Sequence, residues 1–98
     1  MTIRDNARTA QAGTLESMDC LVTVTESTGE RQIEISGAAV SRFAGAMTKK
    51  VNQVLDELEG KTEAKSVVVS VQDNGALDIV LGARVEAAYL RLVGGGAS

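Results

Sequence analysis

Val40, Phe43, Met47, Val51, Val54, Leu55 and Leu58 recur at spacings of three or four, the stripe of one amphipathic helix over about residues 37–59. A stripe this long has to be covered by another layer, so what flanks it decides the fold. Ser36 stands where an N-cap is wanted, and Gly60 where a helix closes. Gly45 lies inside the helix, costs about 1 kcal/mol relative to Ala there, and so implies close packing at that point. Upstream, DCLVTVTE places Cys20, Val22 and Val24 on one face of a strand. STGE is a turn, and RQIEIS puts Ile33 and Ile35 on one face, so the two runs read as an antiparallel hairpin. Downstream of KTEAK, SVVVSV is a β-branched strand with Val67, Val69 and Val71 inward and Val68 outward. Leu77, Val80, Leu81, Val85, Ala88, Tyr89 and Leu92 follow a second helical period over about residues 76–93. Asn74-Gly75 is also a hairpin signal, so residues 76–82 fit either form. With the helix taken, the order is β-β-α-β-α: an α+β, two-layer sandwich, a small sheet with both helices on one face.

The 98 residues suit one domain. Residues 1–17 are polar without an apolar period and read as a flexible arm, 18–93 as the folded unit, and the GGGAS end as a disordered tail over 94–98. Phe43 and Tyr89 are the only aromatics, so Val, Leu, Ile, Ala and Met must build the core. A net charge of −3 argues against a nucleic-acid partner, which needs a basic face to neutralise phosphates. No apolar run approaches the ~18 residues that a membrane span needs. The first residues lack the apolar region of a secretory signal, and Cys20 is alone, which together point to the cytoplasm.

The chain has no histidine, which removes Ser-His and Cys-His nucleophile pairs, histidine metal sites and the commonest general base. Cys20 alternates with buried valines and has no flanking cation to lower its pKa, so it reads as a small core residue. Asp73-Asn74-Gly75 lacks the further ligands of a calcium loop and is turn chemistry. Lys49, Lys50 and Arg91 read as solvated helix faces. Arg84 interrupts the apolar stripe of the second helix, so its stem belongs at the core edge with its head reaching out, where it could meet a partner. A stand-alone enzyme using Cys20, Asp73 or Asp78 would need a pocket that nothing in the sequence motivates. Ser17, in AGTLESMD, has no base to activate it, but a second enzyme could modify it if it is exposed.

AGTLESMD closely resembles the AGTLES(S/G)D signature of the acyl carrier protein of citrate lyase, its gamma subunit. VQDNGALDIVLGARVEAAYLR is similar to a second segment of that family, so the resemblance runs from about residue 12 to residue 92. It implies that Ser17 holds phosphoribosyl-dephospho-coenzyme A (phosphoribosyl-dephospho-CoA) through a phosphodiester, placed there by a prosthetic-group transferase. It further implies that acetyl and citryl thioesters on that arm pass between the alpha (transferase) and beta (lyase) subunits, which convert citrate to acetate and oxaloacetate. The chain would then be a non-catalytic carrier subunit, with catalytic residues none and metal none. Two positions depart from the family: Met18 stands where Ser or Gly is usual, and Gly82 where a charged helix former is commoner. The four-helix acyl carriers place their serine after aspartate, and this chain has no Asp-Ser pair. The malonate decarboxylase carrier is a relative with a different serine motif. A citramalate lyase carrier fits equally, and an α+β adaptor without a prosthetic group is the alternative from another class.

Overall fold

A computed structural model describes residues 8–37, 40–60 and 66–94. The elements run β1 (Thr9–Gly13), β2 (Asp19–Glu26), β3 (Gln32–Gly37), α1 (Val40–Glu59), β4 (Val67–Asn74) and α2 (Asp78–Gly94). The order is therefore β-β-β-α-β-α, one strand more than the sequence suggested, and the class is the expected α+β with the helices on one side of a four-stranded sheet. The added strand, β1, falls within the stretch read as a polar arm. Its inward residues are only Ala10 and Ala12, too small to mark a strand, yet Ala12 is buried beneath α2.

The sheet order is β1-β2-β4-β3. The hairpin expected between β2 and β3 does not form, because β4 lies between them. It pairs antiparallel with β2 and parallel with β3. Alternation dictates which face a residue takes, not which strand lies beside it. The helical crossover through α1 returns the chain to the end where β3 began, which makes β3 and β4 parallel neighbours. One sheet face carries Cys20, Val22, Val24, Val67, Val69 and Val71, all fully buried against the helices. Burying each valine is worth about 1.5–3 kcal/mol over leaving it in water. The opposite face is polar across β1 and β2: the Thr9 and Thr25 hydroxyls meet at 3.2 Å, and the Gln11 amide donates to Thr23 Oγ1 at 2.9 Å.

Ser36 belongs to β3 rather than capping α1, which starts at Val40. Gly60 closes α1, its N–H donating to the Asp56 carbonyl at 3.3 Å. Met47, Val51, Leu55 and Leu58 are buried as the stripe requires, whereas Phe43 is 49% exposed. Gly45 does not mark close packing: a Cβ there would meet nothing within 4 Å. The close approach of the helices is at Gly82, where a Cβ would lie 2.9 Å from Lys50 Cε and 3.6 Å from Val54 Cγ2. α2 starts at Asp78 and buries Leu81, Val85, Ala88, Tyr89 and Leu92, so residues 76–82 form no hairpin. Leu77 precedes the helix and is exposed. Residues 1–7, 38–39, KTEAK and 95–98 lie outside the described residues, and Gly94, read as the start of the tail, ends α2.

Candidate functional site

Ser17 stands in the connection between β1 and β2, residues 14–18, and is exposed. The Asp19 N–H donates to the Glu16 carbonyl at 3.1 Å, closing a four-residue turn with Ser17 and Met18 at its centre. Met18 has φ 67°, and a positive φ at the third position belongs to a type II turn, where Gly is favoured. Ser17 therefore stands at an apex, with its hydroxyl bonded to no other described residue.

The turn is held from three directions. Gly13, at φ 103°, lets β1 close on Cys20, whose carbonyl accepts the Thr14 N–H at 3.1 Å. The Thr14 hydroxyl donates to Asp19 Oδ2 at 2.7 Å and accepts the Glu16 N–H at 3.1 Å. From β4, the Asn74 carbonyl accepts the Met18 N–H at 2.7 Å, and Asn74 Nδ2 donates to the Leu15 carbonyl at 2.9 Å. From α2, Arg84 donates to both oxygens of Asp19, Nε to Oδ1 at 3.0 Å and Nη2 to Oδ2 at 2.9 Å. That fork-on-carboxylate geometry adds orientation as well as attraction.

Asp19 is 9% exposed. The Arg84, Thr14 and Cys20 hydrogen bonds, in that order, hold its carboxyl well below the usual carboxylate range. So stabilised an anion is a poor proton acceptor. Burial first, and then the charges of Asp19 and Asp73, push the Cys20 thiol up to about 11. The Asp73 carboxylate accepts the N–H groups of Gly75 and Ala76 at 3.2 and 3.0 Å, which is the turn role expected of it. Among the described residues, no group of three or more His, Cys, Asp or Glu could hold a metal ion, and no helix is long and apolar enough to cross a membrane.

Of the residues singled out in sequence, Ser17 and Arg84 are brought to one end of the fold, with Arg84 acting through Asp19. Arg91 lies apart, donating to the Gln11 carbonyl at 2.6 Å. Thr14, Asp19 and Asn74 were not foreseen as the supports of the turn. The one available signal was the arginine that breaks the α2 stripe, since such a residue needs an anion nearby.

A family model described as ACP, malonate decarboxylase delta subunit (MdcD), matches residues 7–92. A curated citrate lyase acyl carrier protein of Treponema denticola is 37% identical over 84 residues, 86% of this chain and 91% of its own. Citrate lyase acyl carrier proteins of Enterobacter sp. and Haemophilus ducreyi are 36% and 39% identical, each over 86% of this chain and over 82% and 83% of their own. No solved structure matches. The match spans both the turn that presents Ser17 and the α2 segment that clamps it: the chain belongs to the citrate lyase acyl carrier protein family.

Proposed function

We propose that this chain is the acyl carrier subunit of a citrate lyase complex and that Ser17 is its point of covalent attachment. The observation that carries this reading is an exposed serine at the apex of a turn clamped by β4 and α2, its hydroxyl bonded to no other described residue. Such a hydroxyl is suited to modification by another protein and unsuited to turnover by its own. The residues fit a bulky phosphodiester-linked group: nothing described covers the hydroxyl, and its neighbours Leu15, Glu16 and Met18 are all exposed. When attached, phosphoribosyl-dephospho-CoA supplies a thiol that carries acetyl or citryl. The alpha and beta subunits would supply the catalytic groups, and a prosthetic-group transferase would make the attachment.

The chain's own part is mechanical. The Asp19–Arg84 pair, the Asn74 bonds and the Thr14 hydroxyl fix where the tether is rooted, so the attached thiol samples a defined volume. A tether raises the local concentration of its cargo at partner sites without any new contact. Asp19 does not repel the group, because Arg84 neutralises it, and Glu16 is the acid left to do so. Expression with the attaching transferase tests the reading. Wild type should gain one phosphoribosyl-dephospho-CoA and Ser17→Ala none. An adduct on Ser17→Ala refutes the site.

The family description names malonate decarboxylase, which favours one further reading: a carrier of the same design in that complex. Purifying the native complex decides between them. Cleavage of citrate supports the first, and decarboxylation of malonate supports the second.

A further inference from the structure

α2 carries apolar residues on both of its sides. Leu81, Val85, Ala88, Tyr89 and Leu92 form the buried stripe. Ile79, Ala83, Glu86 and Leu90, three or four residues apart, form a second stripe that faces outward, and all four are exposed. Ile79 is 76% exposed and Leu90 42%, and Glu86 is the only charge in that stripe. The exposed side of α1 is unlike it, with Arg42, Lys49, Gln53, Asp56 and Glu57. A helix that is apolar all round belongs between two layers, yet among the described residues only one side of α2 is covered.

Beside this stripe, α1 and α2 border a groove of about 260 Å³. Ile79, Gly82 and Ala83 line it with Glu86 from α2, and Lys50 and Glu57 line it from α1. Lys50 lies over Gly82, its Cε 2.9 Å from where a Cβ on that glycine would stand. Neither Lys50 nor Glu86 has an ion-pair partner among the described residues. The face matches itself. When two copies of α2 run antiparallel about a two-fold axis with Ile79 against the second copy's Leu90, the second copy's Glu86 falls opposite Ala83. That position is one residue from Gly82, where the Lys50 ammonium waits. The axis repeats both the apolar contact and the ion pair, and the small side chain of Ala83 lets the helices approach. Self-complementarity of this kind is what an interface between identical copies requires.

We propose that the outward face of α2 is a dimer interface, occupied by α2 of a second copy of this chain. Arg84 and Arg91 stand outside the stripe, bonded to Asp19 and to the Gln11 carbonyl, so the pairing leaves the β1–β2 turn as it is. Ser17 stays exposed in both copies, and the dimer forms whether or not that serine is modified.

Sedimentation equilibrium of the full chain, from about 5 µM to about 1 mM, tests the proposal. A contact made chiefly by one helix pair falls short of the ~800 Å² per partner of a stable interface, so the dimer should dissociate with a Kd on the order of 10–100 µM. Ile79→Ser with Leu90→Ser alters exposed side chains only and should raise that Kd about tenfold or more with an unchanged circular dichroism spectrum. Phe43→Ser, exposed on α1 outside the stripe, is the control and should stay within about twofold. Lys50→Glu alone and Glu86→Lys alone set like charges across the axis, and each should also weaken association about tenfold or more. Mixed in equal amounts, these two variants should associate about as wild type does, because both junctions of the mixed dimer then join opposite charges. A role for either residue within its own chain does not produce that rescue. A wild type that stays monomeric throughout overturns the proposal and leaves the face to a different protein. A dimer that survives Ile79→Ser with Leu90→Ser overturns it, and so does a mixture of the charge variants that stays monomeric.

Discussion

The same substitution, glycine to alanine, should act in opposite senses at Gly13 and Gly45. At Gly13, φ is 103° and an added Cβ would lie 1.9 Å from the Cys20 carbonyl oxygen, 3.1 Å from its carbon and 3.2 Å from Arg84 Cδ. The first two are backbone atoms in a strand, so the end of β1 must move and open the Thr14 N–H to Cys20 carbonyl bond. Left-handed strain of about 1–2 kcal/mol and a lost hydrogen bond of about 1 kcal/mol oppose folding. The stiffer unfolded chain returns about 0.4–1 kcal/mol, which leaves a loss near 2 kcal/mol. At Gly45 nothing lies within 4 Å, and alanine recovers about 0.5–1 kcal/mol of helix propensity. In a domain of this size each kcal/mol moves the Tm by about 4–8 °C. Urea and thermal unfolding followed by circular dichroism would show Gly13→Ala falling by about 8–16 °C and Gly45→Ala rising by about 2–8 °C. If Gly13→Ala stays within about 0.5 kcal/mol of wild type, the closure of β1 on Cys20 described above is wrong.

Met18→Gly relieves the left-handed strain at the cost of glycine's own entropy, and should gain about 0.5 kcal/mol in urea unfolding while Met18→Ala stays near wild type. The Tyr89 hydroxyl is buried with no hydrogen-bond partner among the described residues. Tyr89→Phe should therefore match or exceed wild-type stability, while Tyr89→Ala costs about 3–5 kcal/mol, and a loss above about 1 kcal/mol for phenylalanine would reveal a partner for the hydroxyl. Asp19 has a depressed folded pKa, so its contribution is complete above its unfolded value, about 4, and is lost as pH falls through the lower folded one. The wild-type advantage over Asp19→Asn in urea midpoint should be constant from about pH 5 to 8 and shrink below about pH 4. An advantage that grows in acid contradicts the Arg84 pairing.

What the sequence carried was periodicity. Val67, Val69 and Val71 against Val68, and the α1 run from Met47 to Leu58, lie where their spacing puts them because large apolar groups must face the core. Partner choice was not written there: β3 gives the same inward pattern beside β2 or beside β4, and only the crossover geometry selects the latter. β1 was invisible because Ala10 and Ala12 bury so little. At the candidate site, a motif singled out Ser17, but the turn that supports it was not legible. Arg84 and Asp19 are far apart in sequence, and no local rule reveals that Met18 is left-handed. Gly45 and Gly82 show the same limit, since only the assembled helices tell which glycine a neighbour approaches.

The carrier role is tested most directly by the intact mass of the protein from its native host, followed by peptide mapping. An added phosphoribosyl-dephospho-CoA on the peptide containing Ser17 is the predicted result. An unmodified serine in cells that contain the attaching transferase would contradict the account and leave a clamped, exposed turn with no cargo.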